Sequence, residues 1–141
     1  MCSSDLTMKP HVLITRPVSP SAIDMLSSVC DTLPRVAMNR PHQPNFRLIA
    51  ECTDALLLGT TEHVDDALLS EFPRLRVIAC TFRLPEHIDV AACTRRGIWV
   101  TNVATRWLGK EAEIEAARNI LDVLSGDVPR GAMNEILQSA A

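Results

Sequence analysis

The stretch LRVIACTFRLPEHIDVAACTRRGIWVTN, residues 75–102, decides the fold. It divides into a strand, a loop, a short helix and a second strand. Residues 75–79 are a short apolar run rich in branched side chains, as a strand buried on both faces requires. The loop over residues 80–87 carries the turn signal Leu84-Pro85. Asp89 stands where a helix N-cap belongs, its carboxylate placed to accept a backbone N–H of the first turn. Gly97 falls just past that helix, where a positive φ costs glycine least. Residues 98–101 return to a strand pattern. Open α/β sheets bind ligands at the carboxyl ends of their strands, so the 80–87 loop is the predicted place for a small-molecule site.

Outward from this stretch, strand and helix patterns alternate. Residues 11–15 (HVLIT) read as the first strand, and Ser19-Pro20 as an N-cap followed by proline at the first helical position. The helix that follows runs to about Val29 and buries Ile23, Leu26 and Cys30. Residues 32–38 form a weak strand interrupted by Pro34, which suits a sheet edge. A loop covers residues 39–44, and Asn45 is placed to cap a short helix over 46–52 with Phe46, Ile49 and Ala50 inward. Residues 54–59 (DALLLG) are the clearest central strand. Asp65 is placed to cap a helix over 66–72, with Leu68, Leu69 and Phe72 as its apolar positions and Pro73 as its stop.

After a hinge-like segment over 103–109 comes the longest helix, 110–124, closed by Gly126. Ile114, Ala117, Leu121 and Leu124, at i, i+3, i+7 and i+10, predict its buried face. One short turn is expected over 135–138. Alternating strands and helices imply parallel strands joined by right-handed crossovers. The fold class is therefore α/β: a flavodoxin-like three-layer sandwich with a five-stranded parallel sheet and an extra C-terminal helix, one domain over residues 1–141.

Composition narrows the function. The 141 residues are 47% hydrophobic and 22% charged, enough for one domain with a substantial core. A net charge of −3, with Lys and Arg scattered singly apart from Arg95-Arg96, leaves no electrostatic footprint for nucleic acid. No run approaches the roughly 20 apolar residues of a membrane span. The start, MCSSDLTMKP, has neither the charged nor the apolar region of a signal peptide, so a cytoplasmic chain with no membrane partner is expected. The five cysteines are odd in number and have no CxxC spacing, predicting neither a disulfide framework nor a zinc site. His11, His42, His63 and His87 show no HxxxH or HxH spacing and read as separate surface or strand-end residues, not metal ligands. Cys80 and Cys93 read as core cysteines, Cys80 at a strand end being the better placed for reactivity.

Two chemistries common on this fold do not suit the residues. A response regulator requires carboxylates after its first and third strands to hold Mg²⁺ and accept phosphate, and here those places read Thr15-Arg16-Pro17 and Gly59-Thr60-Thr61. A flavodoxin requires a phosphate-cradling loop of free N–H groups. TRPVSPS loses donors to its prolines, and the chain has no tyrosine to stack on a flavin.

The segments LRVIAC and IDVAACTRRGIWVTN resemble the substrate domain of D-isomer-specific 2-hydroxyacid dehydrogenases, most closely the phosphonate (phosphite) dehydrogenase branch. Residues 10–106 resemble the N-terminal part of that domain. AARNILDVLSGDVPRGAMN, residues 116–134, resembles its C-terminal helix and tail. In full-length relatives an NAD-binding Rossmann domain separates these pieces; here residues 104–115 join them. The chain has no GxGxxG and only five glycines. The resemblance places NAD, the catalytic His, its carboxylate partner and the substrate Arg on the cofactor domain. No catalytic residue, cofactor-binding residue, metal ligand or cofactor is accordingly expected in this chain.

What the resemblance assigns to this half is the loop after the fourth strand, where backbone N–H groups and, in the phosphite branch, a lysine hold the substrate anion. Arg83 takes the lysine's place, turning a point donor into a planar fork. Leu84 stands where the family has glycine, Pro85 offers no N–H, and Glu86 adds a negative charge. The substrate- or anion-binding candidates are Thr81, Phe82, Arg83, Leu84 and Asn102. Arg83 has two readings, an anion contact or an ordinary surface arginine, and Asn102 either lines the cleft or forms a turn. Asp89 matches a family position, but helix capping accounts for it. The expected function is a stand-alone substrate domain, non-catalytic alone, that binds a small anion or a protein partner, with Trp107 and Leu108 as anchors and self-association as one outcome. The alternative is a subunit of an NAD-dependent 2-hydroxyacid or phosphite oxidoreductase, completed by a separate NAD-binding chain.

Overall fold

A computed structural model describes residues 9–15, 17–33, 45–59, 63–82, 86–103 and 109–136. Five strands and five helices alternate along them: β1 (His11–Ile14), α1 (Pro20–Ser27), β2 (Asp31–Leu33), α2 (Phe46–Cys52), β3 (Ala55–Leu58), α3 (Asp66–Leu69), β4 (Val77–Cys80), α4 (Val90–Arg95), β5 (Trp99–Thr101) and α5 (Lys110–Leu124). The strands form one sheet in the order β2-β1-β3-β4-β5, and all pairs are parallel. This is the flavodoxin-like arrangement predicted from the alternation. The weak strand lies at the edge, where Pro34 was expected to put it, and the DALLLG strand lies at the centre.

Period-2 alternation divides the core between the two faces of the sheet. Leu13, Leu56, Leu58, Ile78, Cys80 and Val100 point to one face and pack with Phe46, Leu69, Phe72, Ala92 and Cys93 of α2, α3, α4 and their flanks. Val12, Ile14, Leu57, Val77, Ala79 and Trp99 point to the other and meet Leu26 of α1 and Ala112, Ala116, Ala117, Ile120 and Val123 of α5. β3 and β4 are buried along their whole length, as strands covered on both faces must be.

Helix ends follow local chemistry where a short carboxylate is available. Asp65 Oδ1 accepts the Leu68 N–H at 2.8 Å, and Asp89 Oδ1 accepts the Ala92 N–H at 3.0 Å. Gly97 and Gly126 close α4 and α5 at φ 74° and 89°. Ser19 and Asn45 occupy N-cap positions without a side-chain cap bond. The backbone N–H of Ser19 donates to Glu113 Oε1 of α5 at 2.8 Å. One of the orphan donors at the start of α1 is thus satisfied from another helix.

The buried face of α5 differs from the predicted one. Ala112, Glu113, Ala116, Ala117, Asn119, Ile120 and Val123 face inward, while Ile114, Leu121 and Leu124 are only partly buried. Small side chains let the helix lie close on the sheet, so alanines won the inner face over the larger aliphatics. The two polar residues there are tolerated because each is hydrogen-bonded.

The tail turns back to the sheet edge. Ala132 bridges Thr101 antiparallel, and Asn134 accepts the Val100 N–H at 2.9 Å while donating to Ile98 O at 2.9 Å. Glu135 and Ile136 are not in a turn; the rest of the turn expected over 135–138 lies outside the described residues. Cys30, Cys80 and Cys93 are free and buried. Cys52 is disulfide-bonded, a departure from the expectation drawn from the odd cysteine count.

Candidate functional site

The carboxyl ends of β1, β3, β4 and β5 gather Thr15, Gly59, Thr81, Phe82 and Asn102 along one edge of the sheet. Thr81 is buried, and both its N–H (3.4 Å) and its hydroxyl (3.3 Å) donate to Leu58 O of the neighbouring strand. Its donors therefore extend the β3–β4 ladder and are engaged within the fold. Phe82 is half-buried against the core, and its carbonyl accepts the Val103 N–H at 3.4 Å, linking the ends of β4 and β5. Arg83 and Leu84, and with them the lysine-to-arginine exchange, lie outside the described residues, as do Trp107 and Leu108.

Asn102, Asn119 and Gly131 are tied together by three hydrogen bonds. The Asn102 N–H donates to Gly131 O at 3.0 Å, the Asn102 carbonyl accepts from Asn119 Nδ2 at 3.2 Å, and Asn119 Oδ1 in turn accepts the Gly131 N–H at 3.0 Å. A groove of about 390 Å³ opens beside this junction, lined by Glu111, Ile114, Glu115, Arg118, Asn119 and Arg130. The sequence reading missed this arrangement because it joins α5 to the tail through side-chain amides, which carry no periodic signal.

It also missed an encounter between two histidines. His63 and His87 were read as separate, yet their ring centroids are 5.3 Å apart and tilted by 60°. Val64 and Ile88 form an isolated parallel bridge, with Val64 N–H donating to His87 O and Asp89 N–H to Val64 O, both at 2.8 Å. The residue before each bridge partner is a histidine, so the two imidazoles fall side by side. Phe82 completes the group, its ring 6.2 Å from that of His87.

The buried thiols are poor nucleophiles. Burial, with the Asp89 carboxylate as a second cause, pushes the Cys93 thiol up to about 12, and burial with Asp54 pushes Cys30 up to about 11. Neither carries useful thiolate near neutrality. Among the described residues no group of three His, Cys, Asp or Glu is placed to hold a metal, and no helix is long and apolar enough to cross a membrane.

A parallel five-stranded sheet with helices on both faces defines an α/β domain of the doubly wound class. Residues 12–108 match the model of the D-isomer specific 2-hydroxyacid dehydrogenase catalytic domain, and the chain belongs to that family. It is 37% identical over 94 residues to a glyoxylate reductase of Aeropyrum pernix, a match covering 67% of this chain and 28% of that protein. A glyoxylate/hydroxypyruvate reductase of Arabidopsis thaliana is 37% identical over 95 residues, covering 66% and 29%. Among solved structures, a Pyrococcus horikoshii protein superimposes with a TM-score of 0.60 at 23% identity, covering 68% of this chain and 28% of that one. The chain thus spans less than a third of the length of the relatives it matches.

One solved structure with the same fold, a 3-phosphoglycerate dehydrogenase of Entamoeba histolytica, holds NAD⁺. The described residues of this chain do not fit that group. Its glycines include no GxGxxG, and those with positive φ sit singly at helix ends. The first turn of α5, the longest helix, carries Glu111 and Glu113, which oppose a pyrophosphate at its N-terminus.

Proposed function

We propose that this chain is a self-sufficient 2-hydroxyacid dehydrogenase-like substrate domain that binds a small anion through the loop after β4 and does not turn over NAD by itself. The observation that carries the reading is the position of α5. The family match ends at residue 108, and α5 begins at Lys110 and covers the sheet face that Val12, Leu57, Val77 and Ala79 present. The helix that resembles the family's C-terminal one completes the core directly, with no dinucleotide-binding unit between. Hydride transfer requires the nicotinamide to be held against the substrate carbon, and among the described residues no glycine-rich turn supports such a hold.

The ligand class follows from the family and from Arg83. Relatives named for glyoxylate suggest a small 2-oxo or 2-hydroxy carboxylate. The charge at Arg83, in the place of the phosphite branch's lysine, makes phosphite the second candidate. A thermal-shift titration against glyoxylate, D-lactate, phosphite, phosphate, NAD⁺ and NADH tests both points, because a ligand of the native state raises the midpoint with concentration. The expected result is a shift with an anion that Arg83→Ala abolishes, and none with NADH. A shift with NADH alone would overturn the cofactor statement, and no shift with any anion at millimolar concentration would remove the binding reading.

A second reading makes the chain a subunit completed by a separate NAD-binding chain. The groove beside α5 supports it, since Ile114 lies half-buried there between charged neighbours, as a docking rim requires. Co-purification with a GxGxxG-bearing chain, together with NADH-dependent reduction of glyoxylate by the pair, is its test.

A further inference from the structure

We infer that His63 and His87 form a two-imidazole site for a divalent transition-metal ion of the Zn²⁺, Ni²⁺ or Cu²⁺ type. Two imidazoles that share one tetrahedral ion through Zn–N bonds of about 2.0–2.1 Å have ring centres roughly 5 Å apart. The observed centroids are 5.3 Å apart. The spacing is set by the backbone: the isolated Val64 and Ile88 bridge fixes the two preceding residues as neighbours, and its two hydrogen bonds of 2.8 Å hold the two segments together. Val64 and Ile88 are buried, so alternation turns both histidines away from the core.

The surroundings suit a borderline ion. Imidazole prefers Zn²⁺, Ni²⁺ and Cu²⁺ over Mg²⁺ and Ca²⁺, which take oxygen ligands. His63 is exposed, while His87 is half-buried with the Phe82 ring 6.2 Å from its own. Two protein ligands leave the remaining coordination positions to water. The ion would stand at the carboxyl edge of the sheet, beside Phe82.

Isothermal titration of the whole chain with Zn²⁺, with Mg²⁺ as control, tests the site, and unfolding midpoints give a second readout. One Zn²⁺ per chain is expected, with a midpoint that rises with Zn²⁺ and not with Mg²⁺. His63→Ala and His87→Ala should each weaken binding at least tenfold, and His63→Ala, at an exposed position, keeps the test valid if the other variant folds poorly. Zn²⁺ binding that survives in His63→Ala, or no binding by the unaltered chain at millimolar Zn²⁺, would overturn the assignment.

Discussion

The backbone N–H of Ser19 donates to the Glu113 carboxylate at 2.8 Å, joining the N-cap of α1 to the first turn of α5 on the same face of the sheet. Glu113 is almost fully buried, and a buried carboxylate persists in such a place only while hydrogen-bonded. Glu113→Ala leaves the Ser19 N–H without its acceptor, and an unmade bond of this kind costs about 1–3 kcal/mol. Glu113→Gln keeps an oxygen at the same position and should cost less. Urea unfolding of the two variants reads the difference. Equal losses would mean that packing, and not the hydrogen bond, holds this contact.

Asp89 is a plain helix cap. Its replacement by alanine removes the bond to the Ala92 N–H and should cost about 1 kcal/mol, as such caps do. Asp65→Ala should cost a similar amount at α3. The Val64–Ile88 bridge sets Asp65 and Asp89 side by side on neighbouring segments, so the double variant should depart from the sum of the single losses. A much larger loss at Asp89 alone would point to a further role for that carboxylate.

Much of the sheet was legible because its signals are local. DALLLG and LRVIA are short, largely apolar runs, and buried parallel strands have no polar face to disguise them; Cys80, expected to open the loop, instead ends β4. Asp65, Asp89 and Gly97 act within a few residues of themselves, so their positions announced the helix ends. The site was less legible. The pairing of His63 with His87 depends on a bridge between distant segments, and the hold on Asn102 depends on Asn119 and Gly131 meeting in space. Neither leaves a periodic trace, and the sequence reading kept those residues apart.

Gly131 passes so close to Asn102 that a Cβ would collide with the Asn102 carbonyl oxygen and stand 2.9 Å from Asn119 Nδ2. Gly131→Ala must therefore push the tail off the end of β5. Overpacking of this kind costs about 1–3 kcal/mol. Hydrogen exchange should show the N–H groups of Asn102 and Met133, which bond Gly131 O and Val100 O, losing protection ahead of the central strands. Unchanged protection would mean that the tail is not held through this contact.

The buried thiols give the stability a defined alkaline limb. The Cys93 thiol is raised from 9.0 to about 12 and that of Cys30 to about 11, so the folded state keeps protons that the unfolded state releases. Their contribution is complete below about 9 and is lost as the pH climbs through the folded values. In that interval each thiol adds a slope of about 1.4 kcal/mol per pH unit. The chain has no tyrosine to complicate the region. Urea midpoints should fall above about pH 9, and Cys93→Ala should fall less steeply. Parallel slopes in the two proteins would show that Cys93 does not carry its share.

The inner face of α5 decides between the two ways of reading that helix. Periodicity selected Ile114, Ala117, Leu121 and Leu124; the fold buries Ala117 together with Ala112, Ala116, Ile120 and Val123, keeps Leu121 and Leu124 at the margin of the core and leaves Ile114 half-exposed at the groove. Ala116 is fully buried in the cluster that contains Val77 and Ala79, so Ala116→Leu must force the helix away from the sheet. A loss of about 1–3 kcal/mol is expected. Ile114→Ser removes only a partly buried side chain and should cost about 1 kcal/mol or less. The opposite ranking in denaturant unfolding would restore the face the larger aliphatics suggest. It would also remove the seal over the sheet on which the reading of a self-sufficient domain depends.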